Sequence, residues 1–90
     1  MLYAEKIKMK AGCYYSQKLD EIDEIYISNV GFCKKEVVHD YVKKYPDSIH
    51  VGKFPYPALI PGISSRDEKY VRSTPDKYHH DDLLDLPRVF

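Results

Sequence analysis

Five consecutive residues, Tyr70-Val71-Arg72-Ser73-Thr74, hold the chemistry most worth placing. In a strand, alternation puts Tyr70 and Arg72 on one face and Val71 and Ser73 on the other. Val71 is then the core residue, and Tyr70 and Arg72 look outward or into a cleft. A guanidinium is a planar fork of donors that matches phosphate oxygens, and a ring beside it can stack on a base. Ser73 and Thr74 add hydroxyl donors. Such parts suit a small anionic nucleotide. They also suit an arginine that pairs with Asp76, Asp81, Asp82 or Asp85 and locks the chain end to the sheet. The sequence leaves both open. Tyr14 and Tyr15, adjacent after Gly12, are further stacking candidates, with the alternative that one of them only covers the helix.

Other reactive residues do not assemble into a catalytic set. His79 and His80 are neighbours and point apart, and no Cys or His pair has zinc spacing. Cys33 and His39 are six apart, on or beside one helix, and so fall on different faces. Val51-Gly52-Lys53-Phe54 offers a lone glycine, not a phosphate loop. No metal, no cofactor and no enzyme activity are expected.

The totals narrow the class. Ninety residues predict one domain, 1–90, that is marginal on its own. Fourteen basic residues balance fourteen acidic ones, which disfavours coating of duplex nucleic acid. No apolar run is long enough to span a membrane, and the first residues lack the apolar stretch of a signal peptide. Two cysteines without such a signal point to reduced thiols in a cytoplasm. Nine tyrosines, three phenylalanines and no tryptophan suit interfaces and ligand pockets, and a homo-oligomer is expected. The competing reading is that the rings fill a small core.

These residues need elements to position them. "LYAEKIKMK" alternates and predicts a strand with Tyr3, Ile7 and Met9 on one side. "EIDEIYIS" predicts a second strand with Ile25 and Ile27 inward, broken by Asn29 and Gly31. "CKKEVVHDYVKKYP" is the helix, with Val37, Val38, Tyr41, Val42 and Tyr45 as its apolar face and Pro46 as its stop. "SIHVGKF" and "DEKYVRS" are further strands. "PYPALIPG" cannot be a central strand and reads as an arm or stiff loop, folded on the core or docked on a partner. Phe54 and Tyr56 around Pro55 lean towards an intersubunit contact. Thr74-Pro75-Asp76 reads as a turn, and Asp81 as the cap of a last helical turn through Leu83 and Leu84. The fold class is α+β: a small antiparallel sheet in the order β-β-α-β-β, one packed helix and an irregular C-terminal tail.

Tyr70-Val71-Arg72-Ser73, Pro75-Asp76, Asp81-Asp82-Leu83-Leu84 and Leu86-Pro87 form a pattern. It resembles the closing signature of a small family of bacterial and phage proteins catalogued as a domain of unknown function. There the signature runs aromatic-aliphatic-basic-Thr, Pro-Asp, Asp-Asn-Leu-Leu, Leu-Pro. Ser73 stands where threonine is usual, and Asp82 where asparagine is usual. The rest of the chain matches in element order only. The resemblance implies a non-enzymatic module, often on mobile or viral genomes. By analogy of build it is also similar to phage anti-CBASS sponges, which trap cyclic-nucleotide signals. The expected function is therefore sequestration of a small phosphorylated ligand such as a cyclic dinucleotide. Arg72 would hold phosphate, Tyr14, Tyr15 or Tyr70 would stack, and Ser73 and Thr74 would hydrogen-bond. The alternative is a protein-interaction module that docks through its Pro-rich arm and aromatic loops.

Overall fold

The computed structural model describes residues 1–74 and 82–89. At its centre is β1 (Leu2–Met9), paired antiparallel with β2 (Ile22–Ile27), which pairs antiparallel with β3 (Gly31–Lys34). On its other side β1 carries two short parallel partners. These are β4 (Ile49–Val51) along Leu2–Ala4 and β7 (Arg88–Val89) along Ile7–Lys8. A separate antiparallel ribbon is formed by β5 (Leu59–Ile63) and β6 (Lys69–Ser73). One helix, α1 (Lys35–Lys44), packs with this ribbon and β2. The class is α+β with a single packed helix, as expected.

Two register shifts decide which side chains face inward. Ala4 pairs with Ile27 and Lys6 with Tyr26, so β1 has one extra residue there; Lys8 pairs with Glu24 and Met9 with Ile22, so the extra residue is on β2. A bulge shifts the alternation by one. It lets Ala4 and Ile7 both point to the core, and Ile22 and Ile25 likewise. Tyr3 was expected beside Ile7 and Met9. It lies outside that core, because strict alternation fails at the first bulge. Its backbone is held at the strand start by Ser28, whose Oγ accepts from Tyr3 N at 2.9 Å.

The helix begins at Lys35, later than its apolar spacing suggests, because Gly31–Lys34 pairs with β2 as a strand. Glu36 in its first turn and Lys43 and Lys44 in its last complement the helix dipole. It ends where Tyr45 N reaches Tyr41 O, just before Pro46. The buried positions are Lys35, Val38, His39 and Val42. Val37, Tyr41 and Tyr45, expected on the same face, are exposed instead. The centre of their stripe lies about 110° round the helix from that of the buried one, and the ribbon and sheet do not reach that far.

The Pro-rich stretch forms a strand over Leu59–Ile63, despite Pro61. In a two-stranded ribbon both strands are edges, so a missing donor is tolerated. The chain end is more ordered than an irregular tail. Leu83 and Leu86, in and after a short 3-10 turn at Asp82–Asp85, are buried, and β7 joins the sheet. The expected turn at Pro75-Asp76, the pair His79 and His80, and Asp81 lie outside the described residues.

The core is aliphatic throughout. Its buried apolar members are Ile, Val, Leu, Ala and Met, with no aromatic ring among the described residues. The rings therefore do not fill the core. They sit at its margins or on the surface.

Candidate functional site

β6 alternates as expected. Val71 and Ser73 face inward, Ser73 at 2% exposure, and Arg72 is exposed. Tyr70 is half-buried, and its ring lies across the ribbon over Gly62. A Cβ at Gly62 would come within 2.8 Å of the Tyr70 Cζ, so glycine is what leaves room for the ring. The Arg72 guanidinium forms no ion pair or hydrogen bond with a described residue. Asp85, one of four acids that could have taken it, pairs with Lys53 at 3.4 Å. Thr74 uses both its N–H and its hydroxyl on Ala58 O, each at 2.9 Å, and so closes the open end of the ribbon. Of the four candidates from Tyr70 to Thr74, Arg72 is exposed and Tyr70 half-buried, Ser73 is buried, and the Thr74 hydroxyl is held by Ala58 O.

Tyr14 and Tyr15 belong to a second place. They lie in the loop after β1, ring to ring edge-on at 4.9 Å, with Tyr15 85% exposed. Their neighbour is Arg88, not Arg72. The Arg88 guanidinium donates to Tyr14 O and Ser16 O, both at 2.7 Å, and to Leu84 O at 3.3 Å. Tyr14 OH donates back to Arg88 O at 3.3 Å. Sequence reading passed over Arg88, since nothing local marks one arginine as the pin of β7. In the same loop the Cys13 thiol donates to Glu21 Oε2 at 3.1 Å. That bond, with burial second, pushes the thiol pKa up. The Ser16 hydroxyl, then the thiol, hold the Glu21 carboxyl below its usual range. A thiol held protonated beside a carboxylate is a poor nucleophile.

The most buried charge is Lys35, 1% exposed. Its ammonium donates to Glu68 Oε1 at 2.6 Å and to Asp20 O at 3.1 Å. Lys10 also donates to Glu68. Hydrogen bonds from Lys10 and then Lys35 hold the Glu68 carboxyl down at about 2. The carboxylate is placed by the β5–β6 turn, where Ser64 Oγ accepts from Arg66 N and Glu68 N. The triad joins ribbon, helix and the end of β1. His39, 2% exposed, adds a second tie by donating from Nδ1 to Tyr70 O at 2.9 Å. These groups act as staples. Among the described residues no group of three His, Cys, Asp or Glu side chains could hold a metal ion. No described helix is long and apolar enough to cross a membrane.

The densest aromatic cluster lies on the sheet face away from α1. Tyr26 on β2 and Phe32 on β3 are cross-strand partners with ring centroids 5.1 Å apart, and Lys6 Nζ sits 5.4 Å over the Tyr26 ring. Tyr3 meets Tyr56 at 6.0 Å, and Tyr56 meets Phe54 at 6.2 Å. Phe54 is 80% exposed and Tyr56 51%. The loop that presents them is held at both ends. Gly52 N donates to Ala4 O and Val51 N to Pro57 O, each at 2.8 Å; Tyr56 N donates to Lys53 O at 2.7 Å. His50 Nδ1 donates to Tyr56 O at 2.8 Å. In the single chain Tyr56 rests on Tyr3, Phe54 rests on Tyr56, and both face solvent. The Tyr26–Phe32 pair went unread, although its six-residue span around the Asn29–Gly31 break is that of two strands facing across a turn. The lysines of this face are mostly matched. Lys8 pairs with Glu24 at 3.6 Å and Lys34 with Asp23 at 3.3 Å, besides Lys53 with Asp85.

No family model, curated protein or solved structure matches this chain.

Proposed function

We propose that the chain is a non-enzymatic protein-interaction module, and that its docking anchor is the arm carrying Phe54 and Tyr56. One observation carries this reading: Phe54 is 80% exposed on a loop whose backbone is already fixed by hydrogen bonds. An exposed ring on a floppy loop loses most of its binding energy to ordering. A ring on a fixed loop does not, and interface anchors are typically such aromatics. Tyr3, against Tyr56, extends the apolar area. The paired lysines favour a protein over a phosphate backbone, which needs unneutralised cations. The test is affinity capture with the wild-type chain and the Phe54→Ala/Tyr56→Ala variant. A stoichiometric protein held by the first and lost by the second supports the reading. A protein held equally by both contradicts it.

The small-ligand reading keeps one specific support. Arg72 is exposed and its guanidinium is bound to no described residue, with the Tyr70 ring on the same ribbon face. In that reading the ligand is a small phosphorylated molecule, a cyclic dinucleotide in its sharpest form. Calorimetric titration with 3′,5′-linked cyclic dinucleotides tests it. Heat that vanishes in Arg72→Ala supports capture at β6; no heat at protein well above micromolar removes it.

A further inference from the structure

We propose, resting on the arm as docking anchor, that the Tyr3, Tyr56 and Phe54 rings hold an arginine side chain from a basic segment of the partner. The three rings form a series in which each stands steeply to the next: Tyr3 to Tyr56 at 68° and Tyr56 to Phe54 at 84°. Their centroids are 6.0 and 6.2 Å apart. That is wider than the edge-on pairs elsewhere, Tyr14–Tyr15 at 4.9 Å and Tyr26–Phe32 at 5.1 Å. At the wider spacing one cation fits within about 6 Å of two centroids at once, the reach of a cation–π contact.

A carboxylate lies at the foot of the arm. Glu5 is exposed and pairs with no described residue. Its side chain rests against Gly52, where the loop leaves β4: a Cβ there would meet Glu5 Cγ and Tyr3 Cβ, both at 3.6 Å. Glu5 and Tyr3 thus flank the same point. The other charged side chains of the concavity beside it are engaged, Lys53 with Asp85 and Lys6 over the Tyr26 ring. His50 Nδ1 is turned to Tyr56 O. Glu5 is the charge left unmatched.

Rings and carboxylate together select a cation as the occupant. An aliphatic or proline anchor would use the rings and leave Glu5 unanswered. Arginine answers both: its planar guanidinium stacks on a ring face while its N–H groups reach a carboxylate, which the compact ammonium of lysine does less well.

Nuclear magnetic resonance of the whole chain, titrated into the millimolar range with acetyl-Gly-Arg-Gly-amide or its citrulline counterpart, tests this. Citrulline keeps the shape of arginine and removes its charge. The arginine peptide is expected to shift the Tyr3, Tyr56 and Phe54 ring signals, and the citrulline peptide to bind about fivefold more weakly. Glu5→Gln should weaken the arginine peptide about threefold. Phe54→Leu/Tyr56→Leu keeps apolar bulk without the rings and should lose the shift at Tyr3, with unchanged far-ultraviolet circular dichroism. The proposal is overturned by no shift at these rings, by equal binding of the two peptides, by a Glu5→Gln chain that binds like the wild type, or by tighter binding of acetyl-Pro-Pro-Pro-amide. Its failure is distinct from failure of the docking anchor. A captured protein lost by Phe54→Ala/Tyr56→Ala but kept by Phe54→Leu/Tyr56→Leu overturns the cation and leaves the anchor; one held equally by the alanine variant overturns the anchor itself.

Discussion

Lys35 is inside because Glu68 is there to meet it. An ammonium at 1% exposure is stable only while paired and hydrogen-bonded, and Glu68 and Asp20 O satisfy it. Removing one partner of such a pair leaves a buried charge alone. Glu68→Gln is therefore expected to cost about 3 kcal/mol in urea unfolding. Lys35→Met should cost less, since Glu68 keeps Lys10. The same pair sets a pH dependence. The Glu68 carboxyl falls from an ordinary 4.5 to about 2 on folding. Between those values the unfolded chain binds more protons, so stability rises with pH through the window. It is complete above about 4.5 and is lost as pH falls towards 2. Acid titration of the unfolding midpoint should show this loss in the wild type and much less of it in Glu68→Gln. None of this was legible in the sequence. Lys10, Lys35 and Glu68 are ordinary charged residues, and only tertiary folding brings them together. Arg72 is the opposite case: alternation along one strand was enough to place it outward.

At the scale of elements, the strands and the helix were legible as types, but not always their inward faces. Period-2 reading placed Ile25 and Ile27 correctly and misplaced Tyr3, since a bulge needs a partner strand to define it. Helical spacing gave one broad apolar face, and the fold uses only part of it. Two substitutions separate the parts. Val42→Ala should cost about 2 kcal/mol, as deletion of buried methyls does. Val37→Ala should stay within about 0.5 kcal/mol in the monomer. Strand β7, two residues long, was invisible because its pairing with β1 is non-local and rests on Arg88. Arg88→Ala should cost about 2 kcal/mol, the scale of hydrogen bonds from a charged donor. It should also speed amide exchange at Ile7, whose N–H donates to Pro87 O at 2.9 Å.

Among the described residues, aliphatic side chains lie inside and rings at the margins or outside. A layer of Ile, Val and Leu between one sheet and one short helix leaves little room for rings. A tyrosine hydroxyl buried there would also need a partner. The aromatic content suggested contact with something else, but it could not say where. The exposed rings fall on the outer sheet face with its arm, on the α1 surface and, at Tyr15, on the loop after β1. We propose that the first meets a foreign protein. The measurement that tests this assignment most directly is site-specific photo-crosslinking in cells, from a benzophenone amino acid at position 54 or, as comparison, at position 63. Ile63 is exposed too, at 58%, but sits on the ribbon. The account predicts a discrete heteromeric adduct from position 54 and none from position 63. No adduct from 54, or the same adduct from both, would contradict it.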